Sequence, residues 1–261
     1  MPQMLLGKRI LVTGGTSGLG QGIAIRAAEE GADVAFCGLT EEGADATLSA
    51  IRQAGRRGFF QAVDLSDENA ARRFTRAAID FLGGLEGLVN NAGANFWIGV
   101  AQADRAAIQR CFDVNFYSAW AVSQEAYPAL KAAHGAVIVN MASIHAERTL
   151  PGVFPYNVSK AMMVALTKSQ ALEWGPDNIQ AVALAPALIE TPLAQEYFNQ
   201  FPDPEAERAR LISHYPLGRA GRVEDVAATA VFLLSRQNRF INGDTIFIDG
   251  GISPLMESPD K

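Results

Sequence analysis

Short apolar runs alternate with longer amphipathic stretches along most of this chain. The runs Arg9–Val12, Asp33–Cys37, Gly58–Val63, Gly87–Val89, Ala136–Asn140, Ile179–Leu184 and Thr245–Ile248 have strand length and composition. Between them, Gly18–Glu30, Glu42–Ala54, Asp67–Phe81, Arg105–Lys131, Phe154–Glu173 and Glu224–Leu234 carry helical periodicity. Such alternation is the rhythm of βαβ units, so the pattern predicts an α/β fold with a seven-stranded parallel sheet. Right-handed crossovers then place helices on both of its faces, a doubly wound arrangement. Only Gln195–Ser213 breaks the rhythm. It is polar, carries Phe-Pro-Asp-Pro, and reads as a lid-like helical excursion spanning about residues 192–215.

No Pro/Ser/Gly-rich or single-charge linker interrupts the 261 residues, which predicts one domain over 1–261. With 49% hydrophobic and 19% charged residues, the chain can bury a sizeable core. A formal net charge of −6 argues against nucleic acid as a partner. The opening Met-Pro-Gln-Met-Leu-Leu-Gly-Lys lacks a secretory pattern, and no run reaches the length of about eighteen apolar residues that suggests a membrane span. A cytoplasmic protein with no membrane partner is therefore expected. Cys37 and Cys111 stand far apart in apolar surroundings, as small buried hydrophobes rather than ligands or a disulfide. The three His residues are scattered, so no metal is expected.

Candidate chemistry begins with Tyr156 and Lys160, whose spacing stacks two side chains on one helix face. An adjacent ammonium favours the phenolate, and such a Tyr can take or give a proton. An exposed helical Tyr/Lys pair has the same spacing. The first predicted strand runs into Thr13-Gly14-Gly15-Thr16-Ser17-Gly18-Leu19-Gly20, and a helix follows at once. Glycines let backbone approach an anion, and the N–H groups at a helix start favour negative charge, so this turn reads as a phosphate cradle. A merely flexible strand-to-helix turn is the other reading. Asn90-Asn91-Ala92-Gly93 follows the fourth run, and Ser143 precedes the Tyr/Lys pair.

Taken in order, Thr-Gly-x3-Gly-x-Gly, Asn-Asn-Ala-Gly, Asn115, Ser143, Tyr-x-x-x-Lys and Asp249-Gly250-Gly251 resemble the short-chain dehydrogenase/reductase superfamily, from about residue 5 to 251. The resemblance implies a Rossmann-like domain that moves a hydride between a nicotinamide dinucleotide and an alcohol or carbonyl carbon. It makes Tyr156 the general acid/base, with Lys160 lowering its pKa and holding the nicotinamide ribose, and Ser143 orienting the substrate oxygen. Asn115 becomes the residue that bends a long helix and completes a proton relay; an ordinary surface amide is the alternative. On the same basis the cofactor is met by Gly14, Thr16, Ser17, Gly18, Leu19 and Gly20, by Gly38 and Leu39, and by Asp64 and Leu65. Asn91, Ala92, Gly93, Pro186, Ile189 and Thr191 complete the set. Asp64 is equally placed to cap the helix near Asp67. The family commonly has Pro-Gly where this chain has Pro186-Ala187, a change of little cost unless φ is positive there.

At the end of the second strand a carboxylate selects NAD, and a nearby Arg or Lys accommodates the extra phosphate of NADP. Here Gly38 and Leu39 supply neither, and Ser17 holds the other basic position. With no cation for a phosphate dianion and with Glu41 and Glu42 close by, NAD is expected, and NADP is the alternative. The segment Ser143–Glu147, the region after Thr191 and the tail after Gly251 resemble sugar dehydrogenases of glucose and L-fucose type, which implies oxidation of an aldose to a lactone. Asn95, His145, Glu147 and Asn157 are candidate hydrogen-bonding partners for such a sugar, and Trp97, with Phe96 and Tyr197, a candidate apolar wall. His145 could also be an ordinary loop residue. A 3-oxoacyl-thioester reductase and a non-enzymatic dinucleotide sensor remain the alternatives. The resemblance further implies a homotetramer, with the dimer next.

Overall fold

Seven parallel strands lie in the order β3-β2-β1-β4-β5-β6-β7 in the computed structural model, which describes residues 3–253. They are β1 (Arg9–Val12), β2 (Asp33–Gly38), β3 (Gly58–Ala62), β4 (Gly87–Asn90), β5 (Ala136–Met141), β6 (Ile179–Pro186) and β7 (Thr245–Ile248). The helices are α1 (Gly18–Glu29), α2 (Ala44–Gln53), α3 (Glu68–Leu82), α4 (Arg105–Phe112), α5 (Ser118–Ala132), α6 (Tyr156–Trp174), α7 (Pro192–Phe198), α8 (Pro204–Ile212) and α9 (Val223–Ser235). The expected α/β architecture is thus present. The order reverses between β1 and β4, and in open α/β sheets ligands bind in the crevice that opens at the carboxyl ends of the strands at such a point. The part of the tail compared with sugar dehydrogenases that follows Ser253 lies outside the described residues.

Successive strand residues point to opposite faces, and the core divides accordingly. Ile10 and Val12 join α1 and α9 through Ile23, Ala27, Val226 and Val231, while Leu11 between them packs on the other face with Phe74 of α3 and Val122 and Leu130 of α5. Cys37 and Cys111 are buried and free. Among the described residues no helix is long and apolar enough to cross a membrane.

Two elements depart from the sequence expectation. The single helix predicted over Arg105–Lys131 is broken by a π turn at Asp113–Tyr117. The wider turn shifts the helical phase and carries Asn115 inward, to 1% exposure. The Gln195–Ser213 excursion forms α7 and α8, capped by Thr191 and Asp203, and an ion pair from Arg208 to Glu190 ties α8 to the segment after β6.

A buried polar network crosses the sheet where apolar packing is the rule. Asn140 of β5 accepts from Asn90 of β4 at 2.8 Å and donates to Thr167 and Gln170 of α6 at 2.9 and 2.8 Å. Asn90 also donates to Ser123 of α5 at 2.9 Å. All five are at most 3% exposed, so these bonds tie β4, β5, α5 and α6 into one unit just below the crevice.

Candidate active site

The glycine turn joins β1 to α1. Gly14 has φ +69, and a Cβ on it would lie 3.0 Å from Ala92 Cα, so glycine is needed there for both conformation and space. Thr13 Oγ1 accepts the N–H groups of Asn91 and Ala92 at 2.9 and 3.0 Å, fixing the turn to the end of β4. Side chains cap the starts of α3, α4, α7 and α8, but Ser17 at the start of α1 makes no such bond. The first N–H groups of α1 are therefore left for an anion, which fits the pyrophosphate of a dinucleotide. Gly18 is at φ +53, with the methyl of Thr191 3.7 Å from its Cβ position, so the segment after β6 lies against the turn. Ile189 beside it is 5% exposed, and Pro186 ends β6. Ala187 is not among the residues with positive φ, so the Ala in place of Gly is accommodated.

Several expected cofactor contacts also have structural tasks. A Cβ on Gly20 would fall 2.0 Å from the Gly14 carbonyl oxygen, so glycine at 20 lets α1 pack onto the turn. The Asn91 amide nitrogen donates to the carbonyls of Thr13 and Gly14 at 3.0 and 3.2 Å, and so holds the turn. The Leu65 side chain is buried in the core beside α3, and that of Leu19 packs on the core of the opposite sheet face. Asp67 caps α3, and Asp64 is exposed with one oxygen accepting from Ser66. That removes the capping alternative for Asp64. Leu39 is 72% exposed at the end of β2.

The candidate catalytic groups gather at the carboxyl end of β5. Ser143, 6% exposed, follows that strand, and its Oγ accepts the His145 N–H at 3.2 Å. Tyr156 opens α6, and Lys160 one turn on is 5% exposed and donates from Nζ to the Met141 carbonyl at 3.0 Å. Nζ lies 5.5 Å from the Tyr156 ring centroid. Burial pushes the Tyr156 hydroxyl up to about 12, against an opposing pull from Ser143, and burial brings Lys160 down to about 8. Burial is the largest influence on Tyr156 and the Ser143 hydrogen bond opposes it, while the Lys160 Nζ is hydrogen-bonded to the Met141 carbonyl.

Asn115 Oδ1 accepts the Ala94 N–H at 2.8 Å, and Nδ2 donates to the Ala94 carbonyl at 3.0 Å and Ser159 Oγ at 3.1 Å. Ser159 in turn donates to the Tyr156 carbonyl at 2.6 Å. A Cβ on Gly93 would lie 3.0 Å from Asn115 Oδ1 and 3.5 Å from Lys160 Nζ, so both groups border that glycine. Asn115 is thus no surface amide. Ser159 and Met141 were not anticipated; the Ser directly before Lys160 was legible, whereas a main-chain acceptor carries no sequence signal.

Around Tyr156 stand aromatic rings. Trp97 lies edge-on to Tyr156, His145 and Tyr197 at centroid distances of 6.4, 6.0 and 4.8 Å. The N–H groups of Ile98 and Gly99 both donate to the Phe154 carbonyl at 3.0 Å, which holds Trp97 beside the start of α6. His145 Nδ1 and Asn157 Oδ1 are buried without a partner, and burial holds the imidazole below its usual pKa. Asn95 is half-buried on the same segment as Trp97, and Glu147 is exposed. Among the described residues, no His/Cys/Asp/Glu cluster suits a metal ion.

Comparison with known proteins places this arrangement. The family model described as enoyl-(acyl carrier protein) reductase, adh_short_C2, matches residues 14–253. The chain is 38% identical over 256 residues to 3beta-hydroxysteroid dehydrogenase 1 of Eggerthella lenta, covering 95% of each. It is 30% identical over 251 residues to gluconate 5-dehydrogenase of Gluconobacter oxydans, covering 95% of this chain and 96% of that protein. The solved structure of levodione reductase superposes with a TM-score of 0.92 at 27% identity, covering 97% of this chain and all of that one.

Proposed function

The chain belongs to the short-chain dehydrogenase/reductase superfamily and is an NAD(P)-dependent oxidoreductase; from that premise we propose that it oxidises a ring hydroxyl of a sugar or sugar derivative, aldose to lactone, with NAD. The observation that carries the chemistry is the convergence of Ser143, Tyr156 and Lys160 beside an uncapped glycine turn. When bound, the nicotinamide supplies the carbon that exchanges a hydride with the substrate. The uncapped N–H groups of α1 would hold the pyrophosphate, and Ile189 and Thr191 would meet the nicotinamide end. Ser143 orients the substrate oxygen, and Tyr156 exchanges the proton with it. A phenol at about 12 is held protonated, so it is ready to donate to a carbonyl; in the oxidative direction it must first ionise, with Lys160 moving its charge from Met141 towards the phenol. Asn115 and Ser159 keep the first turn of α6 in place for this exchange.

A sugar ring can stack an apolar face on Trp97 while His145, Asn95 and Asn157 meet its hydroxyls. The aromatic wall of Trp97, Tyr197 and His145 favours a second reading, an alicyclic or aromatic ring alcohol or ketone, in line with the steroid-named relative. We take α7 and α8 as a lid over this wall and the protein as a cytoplasmic homotetramer, a state supported by Leu172 of α6 and Tyr117 before α5, 79% and 44% exposed. The test follows nicotinamide absorbance with aldoses, sugar acids, cyclic alcohols and 3-oxoacyl thioesters, beside Tyr156→Phe. Turnover of aldoses, lost in the variant, supports the sugar reading; turnover of cyclic alcohols alone replaces it with the second. Cofactor binding without turnover of any of these compounds points to a substrate outside the panel or to a dinucleotide sensor.

A further inference from the structure

Gly38 ends β2, where a carboxylate would bond the ribose of NAD. Its φ is not in the left-handed region, so space rather than conformation demands glycine there. A Cβ at 38 would lie 2.6 Å from both Oγ1 and Cγ2 of Thr16, and 3.1 Å from the Thr40 carbonyl oxygen. Thr16 has little room to yield. Its side chain is β-branched and stiff, and its carbonyl accepts from Gln21 Nε2 at 3.1 Å. On the far side Gly43, at φ +78, would bring a Cβ within 2.1 Å of that same carbonyl oxygen. Gln21 also donates to Thr47 Oγ1 at 2.9 Å, which packs α2 against the turn. Two glycines, one ending β2 and one starting α2, therefore close around a single threonine. Thr16 Oγ1 makes no hydrogen bond among the described residues, although the side chain is only half-buried. Leu39, Thr40, Glu41 and Glu42 follow Gly38, so this stretch holds no cation.

We propose that Thr16, not the residue ending β2, is the side chain that selects the cofactor, its neutral hydroxyl meeting the ribose 2′-hydroxyl of NAD where a carboxylate would otherwise stand. The inference rests on the nicotinamide reading above. It explains how the chain dispenses with both the acidic and the basic selector: Thr16 fills the space of the first, and the stretch Leu39–Glu42 supplies no cation for a 2′-phosphate.

The test is direct binding of NADH and NADPH, followed by nucleotide fluorescence, with thermal midpoints measured alongside. Thr16→Val keeps the shape and removes the hydroxyl; it is expected to weaken NADH about fivefold, the effect of one ordinary hydrogen bond, and to change NADPH by less than about twofold. Gly38→Asp is expected to weaken both nucleotides about tenfold or more, because the new side chain collides with Thr16. Adding Thr16→Gly to Gly38→Asp is expected to restore NADH binding by about tenfold or more. Unchanged NADH binding in Thr16→Val, or Gly38→Asp alone binding NADH as tightly as the wild type, overturns the proposal. Should Gly38→Asp fail to fold, Thr16→Val decides by itself. Wild-type protein that binds neither nucleotide overturns the nicotinamide reading and this proposal with it, an outcome distinct from binding indifferent to Thr16.

Discussion

Replacing Asn140 by Leu keeps the branched heavy-atom skeleton of the side chain and removes three hydrogen bonds at once, those to Asn90, Thr167 and Gln170. The three partners are not equally affected. Asn90 keeps its bond to Ser123, and Thr167 still donates to the Met163 carbonyl at 2.8 Å. Gln170 loses its recorded partner, and its Nε2 already has none. One group fully orphaned at about 1–3 kcal/mol, with two that lose one of two bonds at about 1 kcal/mol each, gives about 3–5 kcal/mol of lost stability. For a domain of this size that corresponds to a fall of roughly 6–20 °C in Tm. Urea unfolding measures it as a lower midpoint at unchanged slope. Adding Gln170→Leu removes the orphaned amide and is expected to return about 1–3 kcal/mol. A single-variant loss below about 1 kcal/mol, or a double variant no more stable than the single, would refute the argument that satisfaction of this network, and not mere filling of the space, holds α6 on the sheet. Function is exposed to the same change. Residue 141 follows Asn140 directly, and its carbonyl anchors Lys160, so cofactor affinity is expected to fall along with stability.

Gly20→Ala forces a methyl to within 2.0 Å of the Gly14 carbonyl and 2.4 Å of Asn91 Nδ2; stability should drop by about 3 kcal/mol and nucleotide binding should be lost, and an unfolding free energy from urea titration within about 1 kcal/mol of wild type would contradict it. Lys160 titrates near about 8 when folded against an ordinary 10.5, so between those values the unfolded chain binds the extra proton and folding stability rises with pH. Relative to Lys160→Met, wild-type stability should therefore improve from about pH 8 to about 10.5; a flat difference across that window in paired urea titrations would count against the shift. Trp97→Ala removes the ring that borders Tyr156, His145 and Tyr197, and should raise KM for a ring substrate about tenfold or more while NADH binding stays within about twofold. Steady-state kinetics with an acyclic substrate as control separates loss of the wall from general damage.

Much of the site was legible because its signals are local. Glycines beside a predicted strand end, a Tyr and a Lys one turn apart, and an Asn-Asn-Ala-Gly after the fourth strand each depend only on neighbouring residues, and the structure brings them to one end of the sheet. Assignment of tasks within those motifs was less secure. The motifs place Gly20 and Asn91 at the ligand, and the structure gives both a share in holding the turn together; a glycine kept for packing and one kept for ligand approach look alike in sequence. The polar residues of the network were passed over for a related reason: Asn140 sits in an apolar strand, and its partners lie 27, 30 and 50 residues away.

Periodicity and turn chemistry alone determined that this chain is a parallel, doubly wound α/β protein with a glycine-rich turn between its first strand and first helix, because backbone geometry imposes a period of two on strands and 3.6 on helices whatever lies nearby. Tertiary structure decided the rest. Only the π turn at Asp113–Tyr117 turns Asn115 inward, only the pairing of β4 with β5 brings Asn90 to Asn140, and only the closure of β2 and α2 onto the glycine turn sets Thr16 against Gly38. Each depends on a distance between segments remote in sequence, which local patterns do not encode.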